Sequence, residues 1–290
     1  MFDLEAVHLR QLTYIDAVAG AGTFGEAADL LGVSQPALSQ GLARLEDIVG
    51  APLFEADGRR RRLTEVGHEV ARYAASVLGQ TRALAAGVRA RREGLGGTLR
   101  VGMIDAAFLY LLESGIARFR DSRASVDLRI SVDDSESLTR QLFGFDHDLV
   151  YVVAPVKAGE HEVVAVEDLY VYGPPLPGSL DGLEWVLYPE GSHTRGAVDA
   201  ALAAAGIVPT VVGESSNPLV LRQFVHLGMG WSVLPESIAE SGPTPLERRS
   251  DAIGEREICA VWRPGTTDDL RGAFREIVED GNLLPAVRPD

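Results

Sequence analysis

Apolar side chains recur at helical spacing over the first fifty residues, and small or capping residues interrupt the pattern twice. The first helix is predicted to end at the break Gly20-Ala-Gly22. Thr23 can cap a short second helix over 24–31, and Ser34 can cap a third helix over 35–49. Two short helices joined by a tight turn through Gly32 have the outline of a helix-turn-helix. Its predicted buried face consists of Ala27, Leu30, Val33, Leu38, Leu42 and Leu45.

A hairpin and one long helix are predicted next. The Asp57-Gly58 pair favours a tight turn, and the arginines that follow it would form a basic wing. From Thr64 to Arg92 the apolar residues are spaced by four and three positions, which is a heptad seam. That stripe is too narrow for burial in a globular core, so we expect a helix about 43 Å long that pairs with a second copy. The dimer contact is predicted at Val66, Val70, Tyr73, Val77 and Leu84; Gln80, on the same seam, either fixes the register or tolerates solvent.

Beyond the glycine-rich break at 94–97, short apolar strands alternate with amphipathic helices in two successive series. The first series has strands at 98–103, 126–132 and 148–153 and helices at 106–119 and 135–143. The second has strands at 185–187, 208–212 and 230–234 and helices at 194–205 and 219–226. A strand at 258–262 and a helix at 268–279 close the chain. Two α/β lobes with a cleft between them are therefore expected, with the final helix free to return to the first lobe.

These elements predict three domains. An N-terminal winged helix-turn-helix, which is mostly α, occupies 1–63, and a linker and dimerisation helix occupies 64–93. A two-lobed α/β domain occupies 94–290. Lobe I is expected at about 94–157 and 264–290, and lobe II at about 158–263.

Composition excludes several classes of protein. The chain of 290 residues is 46% hydrophobic and 24% charged, which is typical of a globular protein, and its apolar stretches are too short to cross a membrane. Asp3 and Glu5 stand where a secretory signal would carry positive charge, so a cytoplasmic location is expected. The single cysteine, Cys259, excludes an intrachain disulfide and is expected to be a small core residue.

The net charge of −15 is confined to one part of the chain. Residues 1–92 contain 11 arginines and 11 acidic residues, so the whole excess of negative charge lies beyond Arg92. A neutral N-terminal part with clustered arginines can bind DNA while the acidic body stays away from the duplex.

An ordered series of short motifs runs along the chain. The N-terminal ones are GTF at 22–24, AA at 27–28, LGVSQPALS at 31–39, RLE at 44–46, GAPLF at 50–54 and LTEVG at 63–67. Looser ones follow: LRVG at 99–102, GSHTR at 191–195, AGI at 205–207 and GMGWSVLP at 228–235. With these motifs the chain resembles the LysR-type transcriptional regulators over nearly its whole length.

The resemblance implies a sequence-specific DNA-binding transcriptional regulator. Its fold would be a winged helix-turn-helix, a dimerising linker helix and a periplasmic-binding-protein-like domain whose cleft binds a small-molecule effector. The expected partners are double-stranded DNA, the effector and a second copy of the chain, with a homotetramer as the usual assembly of the family and RNA polymerase open as a further partner. The alternatives are a regulator with an occluded cleft that ignores ligands, a solute-binding protein, and an enzyme with a fused regulatory domain.

The start of the third helix carries the predicted DNA contacts. Gln35, Pro36, Ser39 and Gln40 are predicted to contact base edges, although capping and solvation are the plainer roles for such residues. Phosphate contacts are predicted from the third helix and the wing, at Ser34, Arg44, Arg59, Arg60, Arg61 and Arg62. Family recognition helices often carry several basic residues after this motif, whereas Arg44 is the only one here, so more of the affinity is expected from the wing. Gly41 is a further departure, costing a helix roughly 1 kcal/mol relative to alanine.

The predicted effector contacts lie at helix N-termini, where free backbone N–H groups and the helix dipole can hold a polar group. They are Asp105, Ser135, Ser192, His193, Thr194, Ser216 and Asn217, several of which could equally be plain helix caps. Asp105 stands where many relatives place a small or hydroxyl residue. With Asp133, Asp134 and Glu136 nearby, a neutral or cationic group is expected at that end, and any anionic group is expected at Ser192, Thr194 and Asn217.

No catalytic or metal-binding pattern accompanies these sites. The six histidines are scattered without metal-ligand spacing, and the sequence contains no nucleophile elbow, P-loop or dinucleotide fingerprint. We therefore expect neither enzymatic activity nor a metal or cofactor.

Overall fold

The computed structural model describes residues 6–21, 23–57, 60–92, 96–174, 182–241, 243–265 and 269–279. The chain forms two compact units, Met1–Arg89 with Phe143–Asp146, and Ala90–Leu142 with His147–Asp290. Within the described ranges, no helix is both long enough and apolar enough to cross a membrane.

The N-terminal unit contains three short helices, a hairpin and one long helix, in the predicted order. The Thr23 and Ser34 hydroxyls cap their helices by accepting hydrogen bonds from the N–H groups of Glu26 and Ala37, at 3.2 and 3.3 Å. Gly32 ends the second helix in a left-handed conformation with φ of 63°. The elements are α1 (Leu9–Ala21), α2 (Phe24–Leu31), α3 (Gln35–Val49), β1 (Phe54–Asp57), β2 (Arg60–Leu63) and α4 (Glu65–Arg92).

The core of this unit confirms most of the predicted buried face. Ala27, Leu38, Leu42 and Leu45 are fully buried, and Val33 packs partly against them. The prediction for Leu30 was wrong, because this side chain is 76% exposed. Ala27 and Ala28 face the core instead. Leu30 follows Ala28 by two positions and therefore points to roughly the opposite side of the helix.

The C-terminal unit is built on a six-stranded sheet. Its strand order is β4-β3-β5-β10-β6-β9, and β7 pairs with β8 in a second, two-stranded sheet. In sequence order the strands are β3 (Thr98–Met103), β4 (Asp127–Val132), β5 (Leu149–Val153), β6 (Glu160–Tyr172), β7 (Glu184–Leu187), β8 (Thr210–Glu214), β9 (Ser232–Pro235) and β10 (Gly254–Trp262). β3 is parallel to both β4 and β5, whereas β10 is antiparallel to both β5 and β6. The strands of lobe I and lobe II are therefore joined through β10 and β6.

Helices cover this sheet in the two predicted series. They are a π-helical segment (Ala107–Leu111), α5 (Glu113–Ser122), α6 (Ser135–Phe143), α7 (His193–Ala204), α8 (Pro218–His226), α9 (Glu236–Ala239) and α10 (Asp269–Glu279). The prediction of one continuous helix over 106–119 was wrong. The N–H of Leu112 bonds to the carbonyl of Ala107, which widens that turn and separates the π-helical segment from α5. The last helix packs against α5, where the buried rings of Phe119 and Phe274 meet edge to face with centroids 4.9 Å apart.

The two strands that join the lobes were only partly predicted. No strand was predicted between 153 and 185, yet β6 fills 13 residues there. The strand predicted to begin at Ile258 begins at Gly254. In both cases a charged residue interrupts the apolar pattern of the strand, Glu167 in β6 and Arg256 in β10. Such residues are typical of loops, but both are buried in the fold.

Candidate DNA-binding surface and effector cavity

The start of α3 presents a polar surface, while its other face is held in the core. Five of the six residues predicted to contact DNA from this helix are exposed, namely Ser34, Gln35, Pro36, Gln40 and Arg44, and the sixth, Ser39, is half-buried. A helix fixed on one side by leucines and open on the other has the geometry of a recognition helix.

Gly41 has a structural reason that the sequence did not reveal. The ring of Tyr14 in α1 lies against it, and a Cβ at position 41 would be only 2.5 Å from the Tyr14 Cε2 atom. Tyr14 is buried and its hydroxyl accepts a hydrogen bond of 2.8 Å from Arg10 Nε, so a shift of the ring would disturb its packing and this bond. The glycine allows α1 and α3 to approach closely behind the exposed face.

The wing is a short antiparallel hairpin. β1 pairs with β2 so that Glu55 is opposite Arg62, and these exposed side chains form an ion pair of 2.6 Å between Oε1 and Nε. Arg60 and Arg61 belong to β2, but their side chains are outside the described part of the structure, as is the whole of Arg59. Of the predicted wing contacts, Arg62 is therefore the one whose surroundings are defined.

The predicted heptad seam of α4 divides into two sets of residues. Val70 and Val77 pack partly against the core of the helix-turn-helix, beside the buried Ala71 and Ala74. Tyr73 and Leu84 are 51% and 70% exposed, and Val66 and Val88 are exposed as well. A large apolar residue repeated along an exposed helix face favours pairing with another helix.

All seven residues predicted to contact an effector line one cavity of about 590 Å³ in the C-terminal unit. Lobe I contributes Asp105 and the segment 132–136, and lobe II contributes the segment 188–194 with Ser216 and Asn217. Arg256 from β10 lies in the same wall. The volume lies within the range of small-molecule sites, which is about 300–1,000 Å³.

Sequence reasoning missed the charged residues at the base of this cavity. Arg256 is 3% exposed and Glu167 is 4% exposed. The Arg256 Nε and Nη2 atoms donate to the Glu167 Oε2 atom at 2.9 and 2.6 Å, and the Ser237 hydroxyl donates to Oε1. Burial opposes the charge on Arg256, but Glu167 holds the pKa of this guanidinium above its usual value. Only their position opposite each other in the sheet brings the two residues together.

Asp105 and Tyr188 lie beside this ion pair. Burial raises the pKa of the Asp105 carboxyl, although its Oδ1 atom accepts a hydrogen bond of 2.8 Å from the N–H of Ala106. Tyr188 is 5% exposed, and its hydroxyl lies near the Arg256 guanidinium but forms no hydrogen bond of normal geometry with a described residue. Burial also raises the pKa of Tyr188, so its hydroxyl stays protonated. Both side chains line the cavity.

Several of the predicted contacts also have ordinary structural roles. The Ser192 hydroxyl accepts from the N–H of Arg195 at 3.2 Å, and Asn217 Oδ1 accepts from the N–H of Leu219 at 2.9 Å, so both are helix caps. The Ser135 hydroxyl accepts from the N–H of Val153 at 3.1 Å. Each of these side chains therefore lines the cavity with an oxygen that already accepts one hydrogen bond within the chain.

A helix-turn-helix followed by a two-lobed α/β domain is the architecture of a class of DNA-binding regulators. Both parts match family models: residues 9–68 match the bacterial regulatory helix-turn-helix protein, lysR family, and residues 92–282 match the LysR substrate binding domain. The chain belongs to the LysR family and is a DNA-binding transcriptional regulator.

Named relatives match over almost the full length of the chain. The RuBisCO operon transcriptional regulator of Allochromatium vinosum is 32% identical, over 94% of this chain and 95% of that protein. The probable hydrogen peroxide-inducible genes activator of Streptomyces viridosporus is 30% identical over the same shares. The crystal structure of CbnR, a LysR family transcriptional regulator, has the same fold with a TM-score of 0.67 and 23% identity, covering 94% of this chain and 98% of that one.

Proposed function

We propose that this regulator binds DNA as a dimer and that a small molecule in the cavity controls the binding. One observation carries the proposal: seven residues chosen from scattered helix starts line a single open cavity, with contributions from both lobes. An open cavity of about 590 Å³ also argues against the alternative of an occluded, ligand-independent cleft.

The control would act through the arrangement of the two lobes. A ligand that contacts both lobes stabilises the arrangement in which those contacts are made, at the expense of others. Because the strands of the two lobes are joined through β6 and β10, a change in one lobe is passed to the other through these strands. The DNA-binding domains of the dimer would then change their spacing or the bend that they impose on DNA.

Recognition of DNA would use α3 in the major groove and the hairpin on the backbone. Gln35 presents a donor and an acceptor that suit adenine, with Pro36, Ser39 and Gln40 beside it. Pairing through Tyr73 and Leu84 of α4 would place two recognition helices on half-sites about one or more helical turns apart. The proposal includes assembly of two dimers into a homotetramer, with RNA polymerase as a further partner.

The test begins with DNA sites selected from a random pool by the full-length protein. Binding to the selected site and the bend of the DNA are then measured with and without each compound that raises the melting temperature of the protein. A compound that stabilises the protein and changes affinity or bend at least severalfold supports the proposal. If stabilising compounds leave the DNA complex unchanged, the regulator does not respond through this cavity.

A further inference from the structure

We propose that the ligand of this cavity is a small organic cation, such as an amine or amidine, whose charged group binds at Asp105 and Tyr188. The inference rests on the proposed function, since it names the chemical class of the effector. It is carried by the pairing of the charges at the base of the cavity and by a buried hydroxyl without a partner.

Arg256 is unsuited to hold an anion. It is the only lysine or arginine among the described lining residues, and both of its donors to Glu167 end on the same buried carboxylate. An anionic ligand would gain little from Arg256, because its charge is already paired with a carboxylate that is almost completely buried. The positive charge of Arg256 is thus balanced within the chain.

Asp105 then leaves the base of the cavity with one unbalanced negative charge. Its carboxylate forms no ion pair with any described residue. Four further carboxylates line the cavity, on Asp133, Asp134, Glu136 and Glu190. The Asp134 oxygens accept hydrogen bonds of 2.9 Å from both the N–H and the hydroxyl of Ser137, which lower the pKa of that carboxyl despite its partial desolvation.

The N-termini of helices provide a positive field that would favour an anion. This field is weaker than that of the carboxylates. The N-termini of α6, α7 and α8 carry residues that line the cavity, and each contributes a partial positive charge of about half a unit. Three such ends add up to about one and a half positive charges, the charge of Arg256 is already balanced by Glu167, and five carboxylates line the cavity. First-turn N–H groups of these helices are also occupied by the side chains of Asp134, Ser192 and Asn217. Cationic groups are therefore favoured at the lobe I end of the cavity, where Asp105, Asp133, Asp134 and Glu136 lie.

Tyr188 supplies the independent sign of a ligand. A buried hydroxyl without a partner is costly, and native proteins rarely leave one. The Tyr188 hydroxyl lies near the charges of Asp105, Arg256 and Glu167 and is buried at the cavity wall. An ammonium or amidinium group could donate to both the Tyr188 oxygen and the Asp105 carboxylate, which would satisfy both groups at once.

The experiment compares matched probes that differ mainly in charge, using the full-length protein without DNA. One series is benzylamine, benzyl alcohol and benzoate, and the other is butylamine, butanol and butyrate, with benzamidine added. Calorimetric titration should show binding of cations and weaker or no binding of the carboxylates. Asp105→Asn should raise the Kd of the best cation about tenfold or more, as expected for the loss of a charge-assisted hydrogen bond.

Two further variants separate binding from folding. Glu255→Gln removes an exposed carboxylate next to Arg256 that does not line the cavity, and it should leave the Kd unchanged. Tyr188→Phe should weaken cation binding severalfold without lowering the melting temperature of the free protein, because its hydroxyl forms no hydrogen bond of normal geometry with a described residue.

The proposal is overturned if a carboxylate binds as tightly as its matched amine, if no cation of either series binds, or if Asp105→Asn leaves the Kd unchanged. These outcomes are separable from the control of DNA binding. A carboxylate that binds and alters the DNA complex would contradict the cation and support effector control. A cation that binds and leaves the DNA complex unchanged would support the cation proposal and contradict effector control.

Discussion

Arg256 lies directly opposite Glu167 in the antiparallel pairing of β10 with β6, and their side chains form an ion pair that is almost completely buried. The Ser237 hydroxyl completes the hydrogen bonding of the carboxylate. The pair lies on the two strands that join the lobes, and Arg256 also lines the cavity. A ligand that contacts Arg256 therefore acts directly on the junction of the lobes.

Breaking this pair should destabilise the C-terminal unit. Glu167→Gln leaves the Arg256 guanidinium buried without a counter-charge, and such losses amount to about 3–5 kcal/mol. All three tryptophans of the chain, Trp185, Trp231 and Trp262, lie in this unit, so their fluorescence in a urea titration reports its unfolding. Asp168→Asn, an exposed neighbour on the same strand, is the control and should change stability by less than about 1 kcal/mol. Equal effects of the two variants would mean that the buried pair does not stabilise the unit.

Gly41→Ala should destabilise the N-terminal unit even though alanine favours a helix. The new methyl group would collide with the anchored ring of Tyr14, and overpacking of this kind costs about 1–3 kcal/mol. Gly25→Ala, also in a helix, meets nothing within 4 Å and should be neutral or stabilising. Thermal melts followed by circular dichroism at 222 nm would compare the two. A gain in stability from Gly41→Ala would show that α1 and α3 can separate at little cost.

Charge on the exposed part of the α4 seam should separate the proposed dimer. Tyr73→Glu and Leu84→Asp place carboxylates where the paired helices would bury them without partners. Val70 and Val77 are poorer probes, because they also pack against the core of their own chain. Leu30→Asp changes an equally exposed leucine away from the seam and should leave the assembly intact. Light scattering after size exclusion measures the mass, and an unchanged dimer in Tyr73→Glu with Leu84→Asp would place the interface elsewhere.

Base and phosphate contacts should respond differently to substitution. Gln35→Ala should relax preference at one base position and cost about 1–3 kcal/mol on the selected site. Arg62→Ala should weaken binding to all sequences and reduce the salt slope by about one unit, as Arg62 can exchange Glu55 for a phosphate. Titrations on selected and scrambled DNA at several salt concentrations distinguish the two. Equal losses on both DNAs for Gln35→Ala would rule out base contact by that residue.

Two carboxylates that line the cavity, on Asp105 and Asp134, should affect stability with opposite signs. Burial raises the pKa of Asp105 above 3.8 despite the attraction of Arg256, with Glu167 adding to the rise. Ionised Asp105 therefore costs stability above its folded-state pKa, and this cost is lost as the pH falls below it. Asp105→Asn should raise the melting temperature at pH 7, and the gain should narrow as the pH falls.

The comparison variant is Asp134→Ala. Burial opposes ionisation of Asp134, but hydrogen bonds from Ser137 hold its pKa below 3.8. Its ionised form stabilises the fold at neutral pH, and that stabilisation is lost as the pH falls through the lowered pKa. Asp134→Ala should thus lower the melting temperature at pH 7, because the loss of a helix cap reduces the free energy of unfolding by roughly 0.5–2 kcal/mol. A lower melting temperature at pH 7 for Asp105→Asn would contradict the cost assigned to its charge.

The sequence by itself determined the elements whose causes are local. Helix caps at Thr23 and Ser34, the left-handed glycine at position 32 and the apolar periodicity of α3 depend on neighbours within a few residues, and the structure agrees with each of them. The starts of α6, α7 and α8 were predicted on the same grounds to within one residue. Because helix starts bring their capping residues with them, seven of the residues that line the cavity could be chosen before the fold was known.

Only the tertiary structure decided the features that depend on partners far apart in the chain. Glu167 and Arg256 look like loop residues until β6 and β10 place them opposite each other, 89 residues apart, where each makes burial of the other tolerable. Gly41 looks like a weak point in a helix until the ring of Tyr14 is seen against it. A charge or a glycine carries a local cost that the sequence shows, whereas the contact that offsets this cost is formed only when the chain folds.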